Sequence, residues 1–560
     1  MPTAPLRRDL ALAFALAAVL GTGWTWAAWN DLAHLLLPDT DDVVRLQQVR
    51  DWLAGQPWRD VAQHRLGAGL PMHWSRVADL APAALIALAT PIVGGHAAEV
   101  AAMVVWPLAL FAAALALVGR IARTLGPGLA GTATAVAAIG YPATTLFLPG
   151  RIDHHGLQMV LLVGATLALL RPAGAGAGVV AGLAAALSLA IGLETMPFFA
   201  VLGVVAIVDW IAGRDRSDER LQGLGIGALV GLAAAKGLIA TDGWNWPACD
   251  GFTAQAWRAA LALAIVPLAL AAGTRVLAGS RVRATAALTA GTLASLIALA
   301  ISPACLAPYG AVDPLMARLW LTKVGEAQPL FAAPLATAIG YGGLMLAGIL
   351  ASLWRLRATR TRGWAVLLAL QLASLALAGV QLRGAYPGAL LAAPALAAAI
   401  GRARAKGAAS VAGAWVVSAG MLYPIAAQAL VPAMPDASQG QGDCASPALL
   451  AAADRLGPGL VIAPIDAGAA LLAGTHARVL AAPYHRNDAA NLDGYRFYLA
   501  GPAAAHAIAD RWHATAWLSC AAMPGPARAV GLPGWHRATQ LADGAAIWTR
   551  DTLWKAPARR

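Results

Sequence analysis

Charge is what this sequence has least of: 12% of its 560 residues are Asp, Glu, Lys or Arg, 59% are hydrophobic, and the mean hydropathy is +0.64. A soluble domain carries about twice that share of charge, so the scarcity excludes one and implies a polytopic membrane protein. Cysteine is scarce as well, at four residues. There is no internal repeat and no low-complexity linker beyond Gly/Ala-rich apolar segments, whose small residues suit close packing between membrane helices. The net charge of +12 could suggest a polyanionic partner. However, the basic residues fall in short clusters between apolar runs: Arg120 and Arg123; Arg214, Arg216 and Arg220; Arg275, Arg281 and Arg283; Arg355, Arg357, Arg360 and Arg362; Arg402, Arg404 and Lys406. That is the positive-inside pattern, so the basicity reports orientation and no nucleic-acid partner is expected.

Apolar runs of about 20 residues, punctuated by Arg clusters and Pro/Gly turns, predict thirteen crossings. They fall near 9–29, 98–120, 127–147, 156–171, 174–192, 195–212, 222–241, 258–275, 284–302, 332–354, 363–381, 386–401 and 408–430. The first follows Arg7-Arg8 without a small-residue cleavage site and reads as a retained helix. Leu80 to Val93 is apolar but short and reads as an interfacial helix inside the long first loop, 30–97. From a cytoplasmic N-terminus, this count puts every Arg cluster inside. It puts the first loop, the Arg151–His155 turn, the Cys249 loop, the 303–331 loop and everything after about 431 outside. All four cysteines are then on the outer face, which suggests two disulfides, most simply Cys249 with Cys305 and Cys444 with Cys520. The expected architecture is a membrane domain over 1–430 and a small outer domain over 431–560. In the latter, Leu460–Ala463 and Ala477–Ala482 read as strands and Asp466–Ala473 as a helix, an α/β pattern.

Against so little charge, four outer-face constellations stand out. Asp39, Asp41 and Asp42 lie just past the first crossing, with Arg45 after them; carboxylates beside a bilayer need solvation, pairing or a metal. Arg151-Ile152-Asp153-His154-His155 follows the third crossing. A carboxylate and two imidazoles this close can ligate a divalent cation, to which Asp39 could add a carboxylate, and the oxygen-rich set favours Mg²⁺ or Mn²⁺ over zinc. The bland alternative is a helix cap at Asp153. Lys323-Val324-Gly325-Glu326-Ala327-Gln328-Pro329 closes the 303–331 loop, and Arg383 sits past the eleventh crossing, where a guanidinium suits a phosphate unless it merely snorkels. Glu194, between two apolar crossings, reads as a helix cap beside Thr195 or as a donor-site group.

In this order the motifs resemble those of the catalytic subunit of oligosaccharyltransferase and its single-subunit bacterial and archaeal relatives, in the GT-C class of glycosyltransferases. An Asp six residues before an Arg in the first outer loop is that family's first metal motif, and Asp39 to Arg45 has the spacing. Asp153-His154-His155 matches the second motif as archaeal members have it. Lys323 to Pro329 is similar to the Ser-Val-Ser-Glu loop motif, with Glu326 at the Glu, although Lys323, Val324 and Gly325 replace the preceding positions. Arg383 falls where the family's donor-pyrophosphate arginine stands. The tail departs from the pattern: the Trp-Trp-Asp motif that grips a peptide acceptor is Pro464-Ile465-Asp466, so Asp466 matches and both tryptophans are gone.

The resemblance implies a GT-C-like membrane protein of about thirteen helices with a periplasmic α/β domain. It would be placed in the inner membrane and would move a sugar from a polyprenyl-(pyro)phosphate donor to a protein or glycolipid acceptor. Asp39, Asp153 and His155 would hold Mg²⁺ or Mn²⁺, Glu326 would serve the acceptor nucleophile, and Arg383 would clamp the donor phosphate. Asp41, Asp42, His154 and Arg151 would support them. Two other classes compete: a transporter of a lipid-linked substrate, which predicts ionisable groups at mid-helix rather than at outer ends, and a non-catalytic membrane scaffold, which leaves the metal-compatible clusters unexplained.

Overall fold

The computed structural model describes residues 3–172, 174–307, 312–430, 446–520, 532–541 and 544–551. Two compact units emerge that do not follow chain order. The first combines Met1–Trp29, Trp74–Gly310 and Val324–Pro432; the second combines Asn30–His73, Ala311–Lys323 and Ala433–Arg560. The first part of the opening loop, expected with the membrane helices, thus belongs with the tail.

Among the described residues of the first unit, seven helices are long and apolar enough to cross a membrane: Arg7–Ala27, Gly95–Leu125, Ser217–Ile239, Ala254–Arg275, Ser280–Ile301, Leu335–Thr359 and Leu382–Arg404. Five apolar helices are shorter, at 10–17 residues: Leu80–Val93, His155–Leu170, Ala175–Ile191, Met196–Ile211 and Arg362–Ala378. Among the described residues, seven of the thirteen expected crossings coincide with these long helices, an eighth with a bent pair, and four with shorter apolar helices. Two expected crossings are broken. The run at 127–147 is a helix over Ala130–Ala138 and a 3₁₀ turn over Ala143–Phe147, split at Gly140-Tyr141-Pro142, where proline has no N–H to continue a ladder. The run at 408–430 bends by 85° between Ala408–Ser418 and Leu422–Ala429. The two breaks satisfy each other: Met421 N–H donates to the Ile139 carbonyl at 3.1 Å, and a Cβ on Gly420 would sit 2.6 Å from Tyr141 N. Irregular backbone among membrane helices survives only when it is so satisfied.

Close backbone approach is the other organising device. Gly178 and Gly182 on Ala175–Ile191 face Gly223 and Gly227 on Ser217–Ile239. A Cβ on any of the four would collide with backbone of the facing helix: Arg220 and Leu224 on one side, Ala175 and Val179 on the other. This is a reciprocal small-xxx-small crossing, in which packing rather than water exclusion holds membrane helices together. Gly182→Leu is expected to destabilise the unit by about 3 kcal/mol, as overpacking does, read as a lowered Tm of the purified protein. The Ala-rich Leu382–Arg404 helix runs through the centre, 89% of its apolar window being buried, among Phe111, Phe147, Leu162, Trp364 and Leu370.

Cys249 and Cys305 are joined by a disulfide. The second expected pair includes Cys444, which lies outside the described residues; Cys520 is buried. Denatured, unreduced protein is expected to leave Cys249 and Cys305 unlabelled by maleimide, and reduction to expose both, as read by the mass of the labelled peptides.

The second unit carries a five-stranded sheet. Leu460–Ile462 pairs in parallel with Arg478–Val479 on one side and with Ala514–Ser519 on the other. Ala546–Arg550 and then Trp535–Gln540 add antiparallel strands. Trp517 stacks on Trp548 at 5.1 Å in its core, beside Phe497 and Tyr498. The opening-loop segment docks on this sheet's edge: Gly67 N–H donates to the Val479 carbonyl and Val479 N–H to the Arg65 carbonyl, each at 2.8 Å. The Arg65 guanidinium donates to the carbonyls of Leu472, Thr475 and Ala477, which fixes the loop to the end of the Ala467–Gly474 helix.

Candidate functional site

The Asp153 turn is built by the broken crossing before it. Gly150, at φ +90°, reverses the chain and donates its N–H to the Met103 carbonyl at 2.8 Å, while Ile152 is fully buried and anchors the turn. Asp153 and His154 are buried in consequence, and His155 opens the His155–Leu170 helix. Asp153 does not act as that helix's cap; His154 occupies the cap position and makes no side-chain cap bond. Instead the Asp153 carboxylate pairs with His154 Nδ1 through one oxygen and with His155 Nε2 through the other, the latter at 3.3 Å. One candidate ligand atom from each of the three residues falls within 4.8 Å of the others.

Glu194, expected as a cap or a donor-site group, belongs to this cluster. Its Oε1 lies 3.2 Å from His154 Nε2, and its Oε2 accepts from Gln158 Nε2 at 3.0 Å. Gln158 also donates to the Gly192 carbonyl at 2.9 Å, which fixes the turn that carries Glu194. Both ring nitrogens of His154 are therefore engaged by carboxylates, which suits an imidazole that holds Asp153 in place. The Trp74 ring centroid lies 6.5 Å from that of His154, and Ser75 Oγ donates to the Ala190 carbonyl at 2.6 Å. The adjoining Arg76 and Asp79 are both 1% exposed and lie 3.7 Å apart.

The third and fourth constellations meet. Arg383 Nη2 lies 3.0 Å from Glu326 Oε1, so Arg383 is not a snorkelling side chain but half of an ion pair. Backbone bonds set that meeting: Leu382 N–H donates to the Gln328 carbonyl and Leu330 N–H to the Ala378 carbonyl, each at 2.8 Å. Gly384 follows where a Cβ would strike the Ala378 and Leu377 backbone. The Arg383 charge acts on Glu194 and the Glu326 charge on His155, so the two groups influence each other electrostatically. Tyr386, one turn past Arg383 and buried, stands near Glu326 and Arg151 and at 6.0 Å, ring to ring, from Tyr341.

Asp39, Asp41, Asp42 and Asp466 lie in the other unit. Asp39 caps the Thr40–Leu53 helix, accepting from Asp41 N–H at 3.1 Å, and Asp42 and Arg45 are fully buried one turn on. The Tyr484 hydroxyl donates to the Thr40 carbonyl at 3.2 Å and so ties the tail to that helix start. Asp466 is exposed at the start of the Ala467–Gly474 helix. Beside it, burial and the Asp466 charge push the Tyr495 phenol up to about 12. Trp320 and Tyr495 pack on the cluster that contains Ile465, so aromatic rings reach this corner from other segments although none precedes Asp466 in sequence.

Gln158, Trp74, Ser75, Arg76 and Asp79 escaped the sequence reading. Gln158 had a signal, a polar residue four after His154 in an apolar helix and thus on the same face.

The chain has the fold of known glycosyltransferases. It is similar over 92% of its length to the archaeal oligosaccharyltransferase AglB from Archaeoglobus fulgidus, solved with an inhibitory peptide and a dolichol-phosphate, at 16% identity, TM-score 0.65 and 69% coverage of that chain. A structure of the same enzyme complexed with Zn and sulfate aligns at 16% identity and TM-score 0.58, covering 91% of this chain and 68% of that one. The arabinofuranosyltransferase AftD from Mycobacteria aligns over 97% of this chain and 40% of its own, at 15% identity and TM-score 0.51. No family model and no curated protein matches the sequence.

Proposed function

We propose that this protein is a membrane glycosyltransferase that moves a sugar from a polyprenyl-(pyro)phosphate donor to an acceptor on the outer face of the inner membrane. The observation that carries the reading is the buried Asp153–His154–His155–Glu194 cluster, with the Glu326–Arg383 pair within electrostatic reach of it. AglB, with the same fold, was solved with a dolichol-phosphate, which supports a lipid-linked donor here. The Cys249–Cys305 bond supports an oxidising compartment for those loops. An N-terminus in the cytoplasm, about thirteen crossings and a periplasmic tail fit the same reading.

The residues fit a divalent cation. Asp153 and His155 offer an oxygen and a nitrogen with no thiol, a donor set open to Mg²⁺ or Mn²⁺, while His154 is occupied in holding Asp153. When bound, such a cation stabilises negative charge on the phosphate oxygens. The Arg383 guanidinium binds the remaining phosphate oxygens through charge-assisted bonds, for which it must exchange Glu326. Glu326, so released, accepts the acceptor's proton as the nucleophile bonds to the anomeric carbon. The glycosidic C–O bond breaks in the same event, and the electron pair leaves on the polyprenyl (pyro)phosphate. The acceptor is a protein or a glycolipid, and the missing tryptophans before Asp466 argue for one other than the peptide of the archaeal type.

Replacing the native gene with the Asp153→Asn form tests the reading in cells. Mass spectrometry of extracted lipids is expected to show a polyprenyl-linked sugar accumulating and one class of glycan disappearing. An unchanged profile would refute it.

A further inference from the structure

At the opposite ends of the helices that carry the active site lies a second charged cluster, which sugar transfer does not use. The His155–Leu170 helix starts just after Asp153, Met196–Ile211 starts after Glu194, and Arg362–Ala378 ends before Arg383. Some 16 residues of helix, about 24 Å, separate those ends from Leu170, Ile211 and Arg362. Here Asp209, nearly fully buried, is ringed by three arginines from different segments. Arg220 Nη1 reaches it at 2.9 Å, Arg362 Nε at 2.8 and 2.7 Å, and Arg214 Nε at 3.1 Å.

Three guanidinium groups against one carboxylate leave two positive charges over. Helix ends do not balance them. His155–Leu170 and Met196–Ile211 finish here, and two carbonyls at the end of the first take bonds from Arg362 (Leu169) and Arg220 (Arg171), but Ser217–Ile239 and Arg362–Ala378 begin here, so the opposed end charges cancel. Neighbouring acids do not balance them either. Glu219 is taken by Arg216 at 2.7 Å, and Asp215 and Asp218 make no ion pair with the three among the described residues. More positive charge adjoins: Arg283 donates to the Trp210 carbonyl and lies over the Trp210 ring, and Arg171 and Arg120 are close enough to repel. Arg220, 4% exposed, keeps its Nε–H without an acceptor. Buried excess charge and an unmet donor at a membrane edge are costly unless an anion completes the set.

We propose that Arg214, Arg220 and Arg362 form a binding site for a phosphate-bearing anion, with Asp209 holding the three guanidiniums in place. Two sources share this chemistry: the phosphodiester of an anionic membrane lipid and free phosphate. The site is independent of the glycosyltransferase reading, since it stands on the charge balance alone.

The test is thermal unfolding of the purified full-length protein in neutral detergent. It is titrated at constant ionic strength with phosphatidylglycerol, with phosphatidylcholine, or with inorganic phosphate. Phosphatidylglycerol is expected to raise Tm saturably while phosphatidylcholine does not; saturation by inorganic phosphate instead assigns the site to the free anion. Arg214 is 53% exposed, so Arg214→Gln is expected to fold, and its Tm response, measured against its own anion-free Tm, is expected to weaken about tenfold. Arg281→Gln, an exposed change in a neighbouring cluster, is the control and should retain it. No saturable shift with either phosphate source, or equal shifts in wild type and Arg214→Gln, would overturn the proposal.

Discussion

Asp153→Asn is expected to lower sugar transfer by about a thousandfold, some 4 kcal/mol of transition-state stabilisation, while membrane insertion and Tm stay near wild type. The amide keeps the shape of the carboxylate but not its charge. The pairing with His155 and the bond that ties His154 into the site both depend on that charge. A partial loss is expected from the residues behind it: Glu194→Gln or His154→Gln should cost about 10–100-fold, the usual effect of loosening a group that orients a ligand. In those two variants added Mg²⁺ or Mn²⁺ should recover part of the rate, since the defect is in holding Asp153. Initial rates with a labelled polyprenyl-linked sugar, over a metal titration, measure all three. Full activity of Asp153→Asn would remove Asp153 from the chemistry.

Arg383→Ala is expected to raise the donor KM by ten- to a hundredfold, whereas Glu326→Gln should lower kcat and leave donor KM nearly unchanged. The reason is the ion pair at 3.0 Å, in which each residue is the other's resting partner, whereas the proposed function gives each a different task once donor arrives. Arg383→Lys should recover little, because an ammonium lacks the planar fork that meets two phosphate oxygens together. The double variant should be less impaired than the product of the single effects, since removing either residue already ends the pairing. Steady-state kinetics on the four proteins decide it; equal effects of Arg383→Ala on donor and acceptor KM would contradict a phosphate clamp.

The fold was legible where the cue was chemical and local. Asp153-His154-His155, Glu326 and Arg383 stand out because they are charged in a chain that has little charge, and three constellations read separately in sequence converge in one unit. What stayed hidden depends on long-range register. A hydropathy window reads 127–147 and 408–430 as smooth helices because their composition is apolar throughout. Only the facing geometry of Gly420 and Gly140 reveals two breaks that bond to each other. The glycines at 178, 182, 223 and 227 announce close packing in general, but not that these two helices are partners. In the tail, Leu460 to Ile462 reads as a strand from its apolar run, whereas Trp535–Gln540 alternates too weakly to be found, and its partner Ala546–Arg550 is needed to define it. The opening loop's place beside the tail rests on Arg65 and a few carbonyls, a pattern no composition shift marks.

The most direct test of the account is reconstitution. The purified protein is placed in liposomes with a polyprenyl-pyrophosphate sugar extracted from the same membranes and with a crude acceptor fraction, and released polyprenyl pyrophosphate is followed by mass spectrometry. The account predicts release that stops on chelation, returns with Mg²⁺ or Mn²⁺, and is absent in Asp153→Asn. Release that is indifferent to both chelator and Asp153→Asn would contradict it.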